Sequence, residues 1–165
     1  MTATSDTARN GDGSRLAAGV IGVGSMGRHH ARVYSELPGA ELVGVTDVDA
    51  DRAAEVAAEH GTSAVDRSEL LAAVDVVSVA VPTAYHYETV LECIDRDVGV
   101  LVEKPFVDDR EEGRELADRA EAAGVTLQVG FIERFNPATR VLSDIVPDLD
   151  VVAIDVDRLG PPVDR

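Results

Sequence analysis

The sequence predicts an α/β protein built on a doubly wound parallel sheet, followed by the truncated start of an α+β second domain. Three observations carry this. Short apolar runs alternate with helical periods along most of the chain, the order that gives a sheet covered by helices. The runs "GVIGV", "VVSVAV" and "VGVLV" are nearly continuous in apolar residues, as strands buried on both faces are. Glycines then punctuate the end of the first run, where a parallel strand must turn sharply into its helix.

Taken in order, "LAAGVIGV" is a first buried strand and 26–37 a helix, with Met26, His30, Val33 and Leu37 along one face before Pro38 and Gly39 stop it. "AELVGVTD" is the second strand. The next helix runs to His60; Asp49 or Asp51 caps its start, and Gly61 supplies a left-handed stop. A short strand at 63–65 and a small helix at 68–73 lead into the strand "DVVSVAVP". A helix at 84–95, the strand "VGVLVEKP", a helix at 109–123 closed by Gly124, and the strand "VTLQVG" complete the alternation. Beyond Gly130, "FIERFNPATRVLSDIVP" reads as a linking helix with Asn136 at the cap and Pro137 at the first position. A further strand is expected over 150–157, and it has no hairpin partner before "GPPVDR". The organisation expected is a disordered polar tail at 1–15, a nucleotide-binding domain at 16–130, and at 131–165 a linking helix and first strand of an incomplete substrate and oligomerisation domain.

The glycines of "GVIGVGSMGRHH" have the spacing G-x-G-x-x-G. Alone such a triplet is a turn as readily as a cofactor site, but here Gly22, Gly24 and Gly27 follow a strand and open a helix, and Asp47 ends the next strand. Gly22 permits the turn, Gly24 lets a pyrophosphate approach the backbone, and Gly27 lets helix and strand pack closely. The amides around Ser25 and Met26 offer donors at a positive helix end. Asp47 suits the ribose hydroxyls of NAD, and its charge opposes the 2′-phosphate of NADP. Arg52 is read as the only nearby cation able to offset that. NAD on a Rossmann sheet is therefore the expected cofactor.

Two further strand ends reach the same edge of the sheet. In "VPTAYH", Pro82 leads the chain out of strand pairing, and Thr83 and His86 either face the cofactor cleft or serve as a helix cap and a surface histidine. In "EKPF", Pro105 biases Lys104 toward an extended conformation, with a cis Lys104–Pro105 bond conceivable. Lys104 is the single lysine beside fourteen arginines. Arginine would have served for surface charge alone, so a catalytic or substrate role is assigned to Lys104. Glu103 points to the opposite side by strand alternation and is read as positioning.

The formal net charge is −16. An acid-rich, lysine-poor surface suits concentrated salt, where screening acts over about 3 Å at 1 M, so the protein is read as halophilic; a nucleic-acid backbone would be repelled. Cys93 is the only cysteine and is expected as a packed thiol in a reducing cytoplasm. No stretch approaches the ~18 apolar residues of a membrane span, and no metal site is expected.

With "GVGSMGRHHARVY", "DVD", "VPTAYHYE" and "VLVEKPF" in this order, residues 16–160 resemble the Gfo/Idh/MocA oxidoreductases. "VPTAYHYE" and "QVGFIERFNPA" look most like the branch oxidising the 3-hydroxyl of UDP-N-acetylglucosamine, with inositol and simple sugars as alternative substrates. The resemblance implies that Lys104 sits beside the substrate hydroxyl, that Pro82, Thr83, His86 and Glu103 belong to the cofactor side, and that Arg134 and Asn136 lie near the crossing into the second domain. It also implies a homo-oligomer at full length and a catalytic histidine in that second domain, a role not assigned to His29, His30, His60 or His86. Members are about twice this length, so the chain is expected to be a fragment or truncated protein that binds cofactor better than it turns over. The rival reading is a non-catalytic NAD-binding module.

Overall fold

The computed structural model describes residues 15–148 together with 150, 152, 153 and 155. The expected tail, apart from Arg15, lies outside the described residues, as does most of the strand expected over 150–157. The chain divides into two units, one ending at Gly130 and one starting at Phe131.

In the first unit, five strands form one parallel sheet: β1 (Leu16–Ile21), β2 (Ala40–Thr46), β3 (Val76–Val79), β4 (Gly99–Val102) and β5 (Leu127–Val129), in the order β2-β1-β3-β4-β5. The strand expected at 63–65 is reduced to a single parallel bridge, Ala64 to Val45 on the outer side of β2. With that bridge counted, the order is the doubly wound one, and its direction reverses between β1 and β3.

Alternation along the strands divides the core. Val20 of β1 and Val45 of β2 pack with Ala31 of helix α1 (Ser25–Glu36) and Ala53 and Val56 of α2 (Ala50–His60). On the other face Ile21, Val77, Val79, Val100 and Val102 meet Leu70 of α3 (Arg67–Ala73), Val90 and Cys93 of α4 (His86–Ile94), and Leu116 of α5 (Arg110–Ala123). Cys93 is fully buried, and burial pushes its thiol up to about 12.

Local signals set most helix ends. Asp49 caps α2, its side chain accepting from Arg52 N–H, and Asp109 caps α5 through the N–H groups of Glu111 and Glu112. Gly61 and Gly124 close the two helices in the left-handed region, at φ 66° and 69°. One expectation fails on α1. Met26, Val33 and Leu37 are each more than two-fifths exposed, and the buried face is that of Gly27 and Ala31. The reason is steric: a Cβ at Gly27 would run into the Gly22 carbonyl oxygen, so the helix lies against the strand on its small side, and the larger apolar residues turn outward.

In the second unit, a short 3₁₀ turn (Ile132–Phe135) precedes α6 (Pro137–Ile145), which begins as expected: Asn136 Oδ1 accepts from Ala138 N–H at 3.0 Å, with proline in the first turn.

Candidate active site: a nucleotide cleft and a held lysine

The three motif glycines have three different surroundings. Gly22 turns the chain at φ 86°, donates its N–H to the Thr46 carbonyl at 2.8 Å, and would clash with the Ala80 carbonyl if it carried a Cβ. Gly27 is the close approach just described. Gly24 is open: a Cβ there would meet nothing within 4 Å. It is also the N-cap of α1, with no capping side chain and no acid in the first turn. The leading amides of α1, those of Ser25 and Met26 among them, thus form an unneutralised positive end beside open space.

That space is a cleft of about 670 Å³ between the ends of β1, β2 and β3, lined by Gly22, Gly24 and Met26 on one side and by Asp47, Val48 and Arg52 on another. Ala80, Val81, Pro82 and Tyr85 close it from the β3 end. It lies at the topological switch point, where such sheets bind ligands. A glycine without a Cβ neighbour and a helix without a cap are what a pyrophosphate requires, so the residues present fit a dinucleotide.

Asp47 does more than line the cleft. Its Oδ2 accepts from Val23 N–H at 2.8 Å and its Oδ1 from Asp49 N–H at 2.9 Å, and its side chain is only 6% exposed. The acid therefore ties the glycine turn to the end of β2. Arg52 was expected as the one cation near it, but Arg67 at the start of α3 lines the cleft as well.

The other strand ends do not all reach the cleft. Thr83 opens a 3₁₀ turn (Thr83–Tyr85) and caps no helix. His86 is 1% exposed, so it neither faces the cofactor cleft nor sits at the surface. Its Nδ1 lies 3.0 Å from the carbonyl oxygens of Pro105 and Phe106, and its Nε2 2.9 Å from that of Val81. With both nitrogens against backbone, the ring joins the end of β3 to the segment after Lys104.

On the opposite side of that segment Glu103 takes the expected direction. It turns away from Lys104 toward α1, where its Oε1 lies 3.0 Å from His30 Nε2, and its Oε2 accepts from Lys104 N–H at 3.3 Å. It thus acts on backbone and not in the cleft. His30 Nδ1 lies 3.0 Å from Ser78 Oγ, which shares a 2.8 Å hydrogen bond with Tyr34. With a neutral ring and an ionised Glu103, the donors run in one direction: Tyr34 O–H to Ser78, Ser78 O–H to Nδ1, Nε2–H to the carboxylate. Tyr34 and Ser78 were not singled out from the sequence. A serine inside "VVSV" was the available signal, since a buried hydroxyl requires a partner.

Lys104 is exposed at the end of β4, its bond to Pro105 is cis, and its ammonium has no hydrogen-bond or ion-pair partner among the described residues. In the second unit, Arg134 sits in the 3₁₀ turn, and the Asn136 side chain is engaged as a cap and with Glu133, to which its Nδ2 donates at 2.9 Å.

A family model described as an oxidoreductase family with an NAD-binding Rossmann fold, that of the Gfo/Idh/MocA proteins, matches residues 16–131. The chain belongs to this family. Among its relatives, the UDP-N-acetylglucosamine 3-dehydrogenase of Acidithiobacillus ferrooxidans is 41% identical over 128 residues, covering 77% of this chain and 40% of that protein. An inositol 2-dehydrogenase of Rubrobacter xylanophilus is 39% identical over 132 residues, covering 77% and 38%. The chain thus spans about 40% of the length of these relatives. The solved structure of the Acidithiobacillus enzyme superposes with a TM-score of 0.75 at 40% identity, covering 79% of this chain and 43% of that one. GenD2 from gentamicin A biosynthesis, solved in complex with NAD, superposes at 0.68 with 36% identity, covering 71% and 34%. NAD is the cofactor that the family and the cleft share. No helix among the described residues is long and apolar enough to cross a membrane.

Proposed function

We propose that this Gfo/Idh/MocA chain supports NAD-dependent oxidation of a ring hydroxyl on a sugar or nucleotide sugar, with the 3-hydroxyl of UDP-N-acetylglucosamine as the first candidate. The observation that carries the reading is Lys104, an unpartnered ammonium on a segment gripped from both sides, by Glu103 through His30 and by the carbonyls of Pro105 and Phe106 through His86. Gly22, Gly24 and Gly27 with the amides of Ser25 and Met26 would hold the pyrophosphate, Asp47 the adenosine ribose, and Pro82 the β3 side of the cleft. NAD bound there supplies a hydride acceptor. Lys104 donates a hydrogen bond to the substrate hydroxyl oxygen, stabilising the negative charge that grows as its proton passes to a base, the role that the family resemblance gives to a histidine of the second domain. His30 and His86 hold the backbone on either side of that donor.

The 41% identity to the UDP-N-acetylglucosamine enzyme supports the nucleotide sugar. A second reading, inositol, has nearly equal support from the 39% identity to an inositol 2-dehydrogenase. The test is NADH formation by a protein containing this chain, offered UDP-N-acetylglucosamine, myo-inositol and glucose in turn. Turnover of any one, with Lys104→Ala lowering kcat about 10²- to 10⁴-fold while NAD affinity stays within a few-fold, is the expected result. Near-normal turnover in Lys104→Arg would refute the need for a compact ammonium donor at this position, because arginine keeps the charge but not that geometry. Tight NAD binding without NADH from any substrate would favour the non-catalytic module.

A further inference from the structure

Three charged side chains, Asp47 and Arg52 of the cleft lining and Asp49 beside them, meet where β2 runs into α2, and their pairing is unequal. Arg52 Nη2 donates to Asp49 Oδ2 at 2.9 Å, while its Nη1 reaches Asp47 Oδ1 only at 3.5 Å. Asp47 is satisfied without Arg52, since Val23 and Asp49 N–H groups already serve its two oxygens. Asp49 is different. Its Oδ1 accepts from Arg52 N–H at 3.1 Å to cap α2, and its Oδ2 holds the guanidinium of the same residue. Arg52 itself is 41% exposed and lines the cleft beside Asp47 and Val48.

We propose that Asp49 determines dinucleotide specificity by occupying Arg52. NAD and NADP differ by one phosphate on the adenosine ribose, next to the acid that ends the second strand, and an arginine there is the group that accommodates it. Arginine suits the role because its planar fork meets phosphate oxygens bidentately. In this chain one arm of that fork, Nη2, is engaged by Asp49. A 2′-phosphate would have to break the Arg52–Asp49 pair or settle among two carboxylates and a cation they already offset. Discrimination against NADP therefore has two layers, the fixed charge of Asp47 and the withholding of Arg52 by Asp49.

The inference rests on the cleft holding the adenosine ribose, and calorimetry with both nucleotides in high salt separates the two claims. Asp49→Asn retains the cap, because asparagine caps a helix as well as aspartate does, yet it removes the charge that holds Arg52. NADP affinity is expected to rise about threefold in this variant, the scale of releasing one exposed ion pair, while NAD affinity stays unchanged. Adding Arg52→Gln should abolish the gain. Arg52→Gln should lower NADP affinity less in the wild-type background than in the Asp49→Asn background, since Asp49 holds one arm of the wild-type guanidinium. Asp49→Ser, which also caps, should repeat the result if the asparagine variant is poorly folded. Unchanged NADP affinity in the folded Asp49 variants overturns the lock, as does an Arg52→Gln effect on NADP that is equal in the wild-type and Asp49→Asn backgrounds. A wild-type chain that binds neither nucleotide overturns the cleft assignment itself, and the lock with it.

Discussion

Asp47→Asn tests whether the acid at the end of β2 braces the glycine turn. The side chain keeps its size but loses one of two acceptor oxygens. The remaining oxygen can serve Val23 N–H or Asp49 N–H, now 2.8 and 2.9 Å from separate oxygens, but not both, and the new amide group directs N–H at an N–H. Val23 is fully buried, so water cannot stand in. An unsatisfied buried donor costs about 1–3 kcal/mol; about 2 kcal/mol is the working figure. Unfolding entropy of roughly 2.1 cal/mol/K per residue over the ~115 residues at 16–130 gives about 0.24 kcal/mol/K, so Tm should fall by about 8 °C. Differential scanning calorimetry in concentrated potassium chloride measures this directly. Arg52→Gln is the control: its contact with Asp47 is 3.5 Å long and half-exposed, and it should shift Tm by no more than about 2 °C. A Tm for Asp47→Asn within about 1 °C of wild type would refute the bracing role and leave Asp47 as a ligand group only.

Gly24→Ala, whose Cβ enters open space, should lose only the few degrees of Tm that a poorer N-cap costs, yet lose NAD affinity about tenfold or more by blocking the approach of the pyrophosphate; Gly27→Ala, whose Cβ strikes the Gly22 carbonyl, should lose far more stability as well as binding. Equal Tm losses in the two variants would contradict the distinction. Cys93 should resist alkylation in the folded chain at pH 8–9. Because its folded value lies near 12 against an ordinary 9.0, its contribution to stability is intact below about pH 9 and declines as pH rises toward 12, since the unfolded chain releases the thiol proton first; flat stability across that window would count against it. Tm should rise with added potassium chloride, given 31 acidic against 15 basic residues, and a fall would count against the halophilic reading.

What the sequence made legible was governed by local chemistry. Asp49 and Asn136 as caps, Gly61 and Gly124 as stops, and the three motif glycines all act on backbone within a few residues of themselves, so spacing was enough to find them. The outward face of α1 escaped that reasoning because the contact deciding it, Gly27 on Gly22, is a close approach of backbone and not a pattern of apolar side chains. The strand at 63–65 dwindled to one bridge because a lone edge position gains little from further pairing. His86 was read from its place in "VPTAYH" as a cleft or surface group, and two of the three carbonyls that enclose it, those of Pro105 and Phe106, come from a segment about twenty residues away. Arg67 entered the cleft for the same reason, since the position of α3 over the sheet is set by Leu70 and the strands it covers.

The run of hydrogen bonds from Tyr34 through Ser78 and His30 to Glu103 ties together positions up to 73 residues apart, and its members cannot be exchanged one at a time. Tyr34→Phe alone removes the donor to a fully buried hydroxyl that still donates to His30, whereas Ser78→Ala alone strands both the Tyr34 hydroxyl and His30 Nδ1. Replacing Tyr34 and Ser78 together by Phe and Ala removes both ends of the bond they share and leaves only His30 Nδ1 to be satisfied, so the pair should cost less than the sum of its singles. Sequence drift through this part of the protein is therefore epistatic. An intermediate that changes Ser78 alone is less stable than the intact set or than Tyr34 and Ser78 replaced together, so a helix and a strand inherit these side chains as a block.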